Sequence, residues 1–303
     1  MSNLSYMQKA TDRGQLQIHV TTERGFFPIK DASIRLSYTG NPTEIIEELS
    51  TDISGQTAAV ELPAPPLEYS MEPSEFQPYS EYTIQVNASG YRPINISGIS
   101  VLPDKTSIQN VRMETATVEN PLERNIVITA NTLYGNFPPK IPEDEIKPIT
   151  ESGEIVLSRV VIPEYVIVHD GPPSDSSAND YYVRYRDYIK NVASSEIYAT
   201  WPDAALRANI LAIMSFTLNR VYTEWYRNKG YSFTITSSTA YDHKFVPGRN
   251  IFESISAIVD EIFSEYLSRP NVEQPILTQY CDGKNVSCPN WLSVFCRVYK
   301  FKF

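Results

Sequence analysis

Between Gly14 and Met113 apolar and polar residues alternate in short runs. Leu16, Ile18 and Val20 stand between polar neighbours, the period of two that marks a half-buried strand. Ile34 and Leu36 repeat the pattern. Ala59, Val60 and Leu62 follow, then Tyr82, Ile84 and Val86, and lastly Val111 and Met113. Turn residues separate the runs: Asp52-Ile53-Ser54-Gly55, Ser89-Gly90, and a long loop opened by Pro63, Pro65 and Pro66. Short strands at this spacing predict an antiparallel β-sandwich over residues 14–114, behind a flexible lead over 1–13.

The pattern then changes. Residues 115–155 carry Pro138-Pro139, Pro142 and Pro148 among acidic residues. Proline stiffens the backbone and removes donors, so this stretch reads as an extended linker. Ile155-Val156-Leu157, Val160-Val161-Ile162 and Tyr165-Val166-Ile167-Val168 read as strands entering a second domain over 156–291. Tyr181, Tyr185, Tyr188, Ile189 and Val192 recur at helical spacing. A longer helix has Pro202 in its first turn, buries Leu206, Ile210, Ile213, Met214, Leu218, Val221 and Trp225, and ends at Gly230. A third starts near Asn250 and stops before Pro270. Between them lies a polar strand-and-loop from Phe233 to His243, and Pro275 to Tyr280 reads as a last apolar strand. The fold class is α+β: an N-terminal antiparallel β-sandwich, then a mixed helix-and-strand domain.

At 303 residues the chain has room for about two domains. Its net charge of -10 disfavours nucleic acid and anionic lipid as partners. No run approaches the roughly 20 apolar residues of a membrane span. Met1 to Tyr6 lacks the basic and apolar regions of a signal peptide, so no ordinary export route is expected. Tyr is unusually common at 20, against 12 Phe and 3 Trp. Its flat face and polar tip suit either a Tyr-rich core or a sugar-stacking surface. Cys281, Cys288 and Cys296 are too few for a disulfide framework. Cys281 and Cys288 read as ordinary thiols, a pair, or two ligands of a metal.

Two stretches resemble known families. Pro28 to Leu36, Thr51 to Thr57, and Tyr82 to Val86 leading to Ala88-Ser89-Gly90-Tyr91 resemble transthyretin-like or carboxypeptidase-regulatory-like domains. The resemblance implies a scaffold or binding role without catalytic residues. Tyr188 to Glu196, followed by Trp201-Pro202-Asp203-Ala204-Ala205-Leu206-Arg207-Ala208-Asn209 and the run to Ser215-Phe216-Thr217, resembles the core of the sporulation protein D family. The two-domain order also resembles clostridial spore-cortex-lytic enzymes. That family implies lytic transglycosylation of peptidoglycan glycan strands, with its essential acid falling on Glu196. The bland alternative for Glu196 is a solvated glutamate at a helix end. One carboxyl group would protonate the glycosidic oxygen and then take the proton of the sugar's own 6-hydroxyl. Hydrolytic glycosidases use a pair of carboxylates instead. Such an acid must hold a proton near neutral pH, and Ile197, Tyr198 and Trp201 would supply the apolar setting that favours the neutral form.

Ser237, Ser238, Thr239, Tyr241, Asp242 and His243 align with the cleft-lining segment of the family, which implies substrate binding alongside Tyr198 and Trp201. Hydroxyls both donate and accept, which suits sugars. No cofactor is expected. A zinc held by His243, Cys281 and Cys288 is the alternative, while His19 and His169 read as structural. Residues 292–303, from Leu292-Ser293 to Phe303, have no family counterpart and read as an aberrant tail on a truncated domain. The expected partner is peptidoglycan, with spore or cell-wall association. The competing expectation is a non-catalytic module that binds glycan or a sporulation partner.

Overall fold

The computed structural model describes residues 12–71, 76–117, 122–131, 141, 155–281 and 292–293. The chain divides into two compact units. The first comprises Met1–Ala130, Tyr198–Thr200 and Pro247–Ser254. The second comprises Asn131–Ile197, Trp201–Val246 and Ile255–Phe303.

The first unit holds β1 (Asp12–Thr22), β2 (Ser33–Tyr38), β3 (Asn41–Ser50), β4 (Val60–Ala64), a one-turn helix α1 (Glu68–Met71), β5 (Ser80–Asn87), β6 (Ile94–Val101), β7 (Thr106–Met113) and β8 (Arg124–Val127). One sheet has the order β3-β2-β5-β6-β8. The other begins with β4, β1 and β7 and is completed by β12 (Ile251–Phe252). The alternation predicted for Leu16, Ile18, Val20, Ile34, Leu36, Ile84 and Val86 is met, since all are buried. Tyr82 is fully buried and donates its hydroxyl to the Pro63 carbonyl of β4 at 2.7 Å, tying one sheet to the other. A buried phenol needs such a partner to offset its lost hydration.

The sheets are not wholly antiparallel as the alternation predicted. β1 runs parallel to β7 and β6 runs parallel to β8. A period of two identifies a strand and its buried face but leaves the direction of its neighbour open. The unit also runs past Met113 and takes in residues far along the chain. Ile251 and Phe252 do not begin a helix; they pair antiparallel with Ile108 and Ser107 of β7. Asn250 precedes them as a surrogate strand residue. Its Oδ1 accepts the Ser100 N–H at 3.1 Å and its Nδ2 donates to the Ser100 carbonyl at 3.0 Å.

Gly98 sits beside the register shift between β5 and β6, with φ +84. A side chain there would meet the Ile128 carbonyl oxygen, which a backbone group cannot yield. Gly98→Ala is therefore expected to destabilise the protein by about 2 kcal/mol or more. Chemical denaturation would show it as a lower midpoint, and an unchanged midpoint would mean that the bulge relaxes freely.

The second unit is built on a three-stranded sheet of order β10-β9-β11. β9 (Tyr165–His169) pairs antiparallel with β10 (Asp180–Arg184) and parallel with β11 (Ile235–Thr236). Three helices accompany it: α2 (Tyr185–Glu196), α3 (Asp203–Tyr222) and α4 (Glu253–Ile262), whose first two residues belong to the first unit. α3 is buried on more than one stripe. Its buried Asn209, Ser215 and Thr217 donate to the carbonyls of Ala205, Leu211 and Ile213, four residues back. Polar side chains are tolerated inside a helix bundle when the helix itself satisfies them. Lys190 of α2 and Arg207 of α3 reach Asp260 and Glu261 of α4 at 2.6 and 2.5 Å.

Several predicted elements differ. Tyr181 lies on β10, because an i, i+4 spacing also fits two residues that straddle a strand–helix junction. Residues 155–157 and 160–162 form no strands, and Pro275 to Tyr280 is irregular apart from Tyr280, which opens β13 (Tyr280–Cys281). β13 pairs parallel with β14 (Leu292–Ser293). The long helix stops at Tyr222, and a 3-10 turn over Arg227–Lys229 closes on Gly230 at φ +83. No helix among the described residues is long and apolar enough to cross a membrane.

Candidate functional site

Glu196 is the last residue of α2 and is half-buried. Its Oε1 accepts the backbone N–H of Lys244 at 2.7 Å. That contact is set up from both sides of the residue. Upstream on α2, Asn191 clamps the same returning segment: its Nδ2 donates to the Val246 carbonyl at 2.8 Å and its Oδ1 accepts the Val246 N–H at 3.0 Å. From α3, buried Arg220 donates through Nε to Asp242 Oδ1 at 2.7 Å and through Nη2 to the Tyr241 carbonyl at 3.1 Å. The other oxygen of Asp242 accepts from the Tyr226 hydroxyl at 2.5 Å, the Thr236 N–H at 2.8 Å and the Thr236 hydroxyl at 2.7 Å.

Asp242 is thus a structural anchor. It is fully buried and both oxygens are engaged, so it does not meet a substrate as its alignment implied. His243 is also fully buried; its ring lies 4.5 Å from that of Phe216, and its Nδ1 is 3.4 Å from the Tyr188 hydroxyl. Tyr198 and Trp201 are 5% and 2% exposed. Rings so covered cannot serve as the open stacking platforms that sugar contact requires. Ser237, Ser238, Thr239 and Tyr241 remain partly exposed. Ser237 donates its hydroxyl to Asp170 at 2.9 Å.

Burial holds the Tyr188 hydroxyl well above its usual pKa, and the nearby Asp242 and Glu196 carboxylates push it further up. Tyr226 is raised by burial and by Asp242. Both phenols therefore keep their protons and act as donors. The Glu196 carboxyl group accepts the backbone N–H of Lys244 beside them. A carboxyl group, two neutral phenols and an imidazole thus share one region of the second unit.

Sequence reasoning missed Tyr188, Asn191, Arg220 and Lys244 as site-building residues. Arg220 lay inside the predicted helix with no pattern to mark it, and Lys244 acts through its backbone, which no side-chain pattern reports. His169 is 6% exposed, its Nδ1 pairs with Asp180 at 2.8 Å, and its ring stacks on Phe233 at 4.4 Å. Of the alternative zinc ligands His243, Cys281 and Cys288, Cys288 and the side chain of Cys281 lie outside the described residues. No group of three His, Cys, Asp or Glu side chains able to hold a metal occurs among the described residues.

No family model matches the chain, and no curated protein matches it. Among solved structures, a TIE protein of Bacillus anthracis is similar at 17% identity over 35% of this chain and 17% of its own, with TM-score 0.24. The minor pilin GBS52 of Streptococcus agalactiae is similar at 13% identity over 35% of this chain and 46% of its own, with TM-score 0.25. A 5-hydroxyisourate hydrolase of Klebsiella pneumoniae is similar at 17% identity over 33% of this chain and 86% of its own, with TM-score 0.22. This chain spans less than half the length of the first two. These likenesses are too weak to decide function, and the sporulation protein D resemblance rests on the residues quoted above.

Proposed function

We propose that the chain cleaves peptidoglycan glycan strands by lytic transglycosylation, with Glu196 as the single acid and base. The observation that carries the reading is the setting of Glu196 within the run that resembles the sporulation protein D family. It is a half-buried carboxyl group at a helix end, with one oxygen fixed by the Lys244 N–H and a neutral Tyr188 nearby. Protonation of the glycosidic oxygen breaks the C1–O bond. The carboxylate left behind takes the proton of the 6-hydroxyl as that oxygen attacks C1. Spore or cell-wall association belongs to the same proposal.

A second reading is a glycan-binding module without catalysis, consistent with Oε1 of Glu196 being held by the Lys244 N–H. Incubation with spore-cortex fragments in heavy-oxygen water separates the possibilities. Transglycosylation yields 1,6-anhydro ends with no label. Labelled reducing ends mean hydrolysis, and binding without products means the module.

A further inference from the structure

The three-stranded sheet of the second unit leaves one face open. On β9, Val166 and Val168 are fully buried, so the alternation of a strand puts Tyr165, Ile167 and His169 together on the other face. Their antiparallel partners on β10 are Arg184, Tyr182 and Asp180, and directly paired residues project to the same side. Phe233 stacks on His169 and covers that rung. The next two rungs are open: Tyr182 is 75% exposed and Tyr165 is 44% exposed. The solvent face of an antiparallel sheet is ordinarily polar. Here it presents two phenol rings on adjacent rungs, set diagonally and held by paired strands.

The size and charge of the face narrow what can cover it. β9 and β10 are five residues long, about 17 Å, and the outer strands of a three-stranded sheet stand about 10 Å apart. That is about 170 Å², well short of the roughly 800 Å² per partner of a stable protein interface. The face carries no excess charge. Arg184 feels Asp187 and Glu164, and Asp180 is bonded to His169 at 2.8 Å. Nothing there selects an ion. Polar groups nevertheless border the rings. Arg184 donates to the Tyr165 hydroxyl at 3.4 Å. Thr234 Oγ1 accepts the Ile167 N–H at 3.2 Å and keeps a proton to donate. Small area, neutrality, open aromatic faces and a polar border together match a sugar chain, whose rings have an apolar C–H face and a rim of hydroxyls.

We propose that a neutral oligosaccharide lies across this face, with its rings stacked on Tyr182 and Tyr165 and its hydroxyls meeting Arg184, Asp180 and Thr234. The inference rests on the reading of the chain as glycan-directed, but it does not require Glu196 to be the acid. It also places sugar stacking on tyrosines that are open, where Tyr198 and Trp201 are covered.

Calorimetric titration of the full chain with a β-1,4-linked N-acetylglucosamine tetramer should show binding. Tyr182→Ala should weaken it about tenfold or more, the scale of one lost aromatic contact. Tyr182→Phe keeps the ring and should retain most of the affinity. Tyr165→Ala repeats the test on the second ring, and thermal melting should place all three variants near the wild type. Absence of binding, indifference to both alanine changes, or a Phe variant as weak as the Ala variant would each overturn the proposal. Glu196→Gln should bind the tetramer as the wild type does. Undiminished binding and cleavage in Tyr182→Ala would overturn this surface and leave the cleavage reading standing. Binding that needs Tyr182, with no cleavage by the wild type, would support the surface and overturn the cleavage reading.

Discussion

Glu196→Gln is expected to lower glycan-strand cleavage by about 10²- to 10⁴-fold, the usual contribution of one positioned acid–base group. The amide oxygen can still accept the Lys244 N–H that Oε1 accepts at 2.7 Å, so the helix end and the returning segment stay in place. What is lost is the ability to release and recover a proton. Binding of glycan fragments should persist, which ties the loss to chemistry and not to folding. Turnover of defined glycan fragments with matched binding measurements reads both quantities. Wild-type turnover in the Gln variant would remove Glu196 from the mechanism.

Asp242→Asn should destabilise the second unit by about 3–5 kcal/mol, the cost of leaving one buried charge without its partner. Arg220 is 2% exposed at its side chain and Asp242 is not exposed at all. Water cannot replace the lost carboxylate. The new amide would also place N–H donors toward either the guanidinium or the donors of Tyr226 and Thr236. Urea denaturation checks the size, and the loss should persist in high salt because the pair is shielded from screening. Combining Asp242→Asn with Arg220→Met should cost less than the sum of the two single changes. A loss under about 1 kcal/mol for Asp242→Asn would mean that the cluster is not what holds the 236–246 segment.

Much of the first unit was legible because its strands bury one face. Leu16, Ile18 and Val20 alternate with more exposed neighbours on β1, and the sequence repeats the physical constraint directly. β3 was not legible for the opposite reason. Its residues, from Asn41 through Glu44, Ile45 and Glu48, are mostly exposed on both faces, so nothing imposes a period. β8 is only four residues long, and Ile251-Phe252 read as the start of a helix because the apolar stripe of α4 continues from them. In the second unit α3 was found from its apolar stripe, and Pro202, expected in its first turn, stands immediately before it. The hydroxyl-rich segment read as a binding loop, and Ser237 to Thr239 are partly exposed in it. Composition failed at Asp242, because whether a carboxylate faces solvent or a buried arginine 22 positions back is decided by tertiary packing.

The return of Ile251 and Phe252 to β7 has a consequence for synthesis on the ribosome. β7 is complete at Met113, yet its neighbour on that edge is not translated until nearly 140 residues later. At about 5–20 residues per second the edge stays open for roughly 7–30 s. An unpaired strand edge is a template for pairing with another chain. The nascent protein therefore carries an open β7 edge until Ile251 and Phe252 emerge, and slower translation of the middle of the chain would lengthen that exposure.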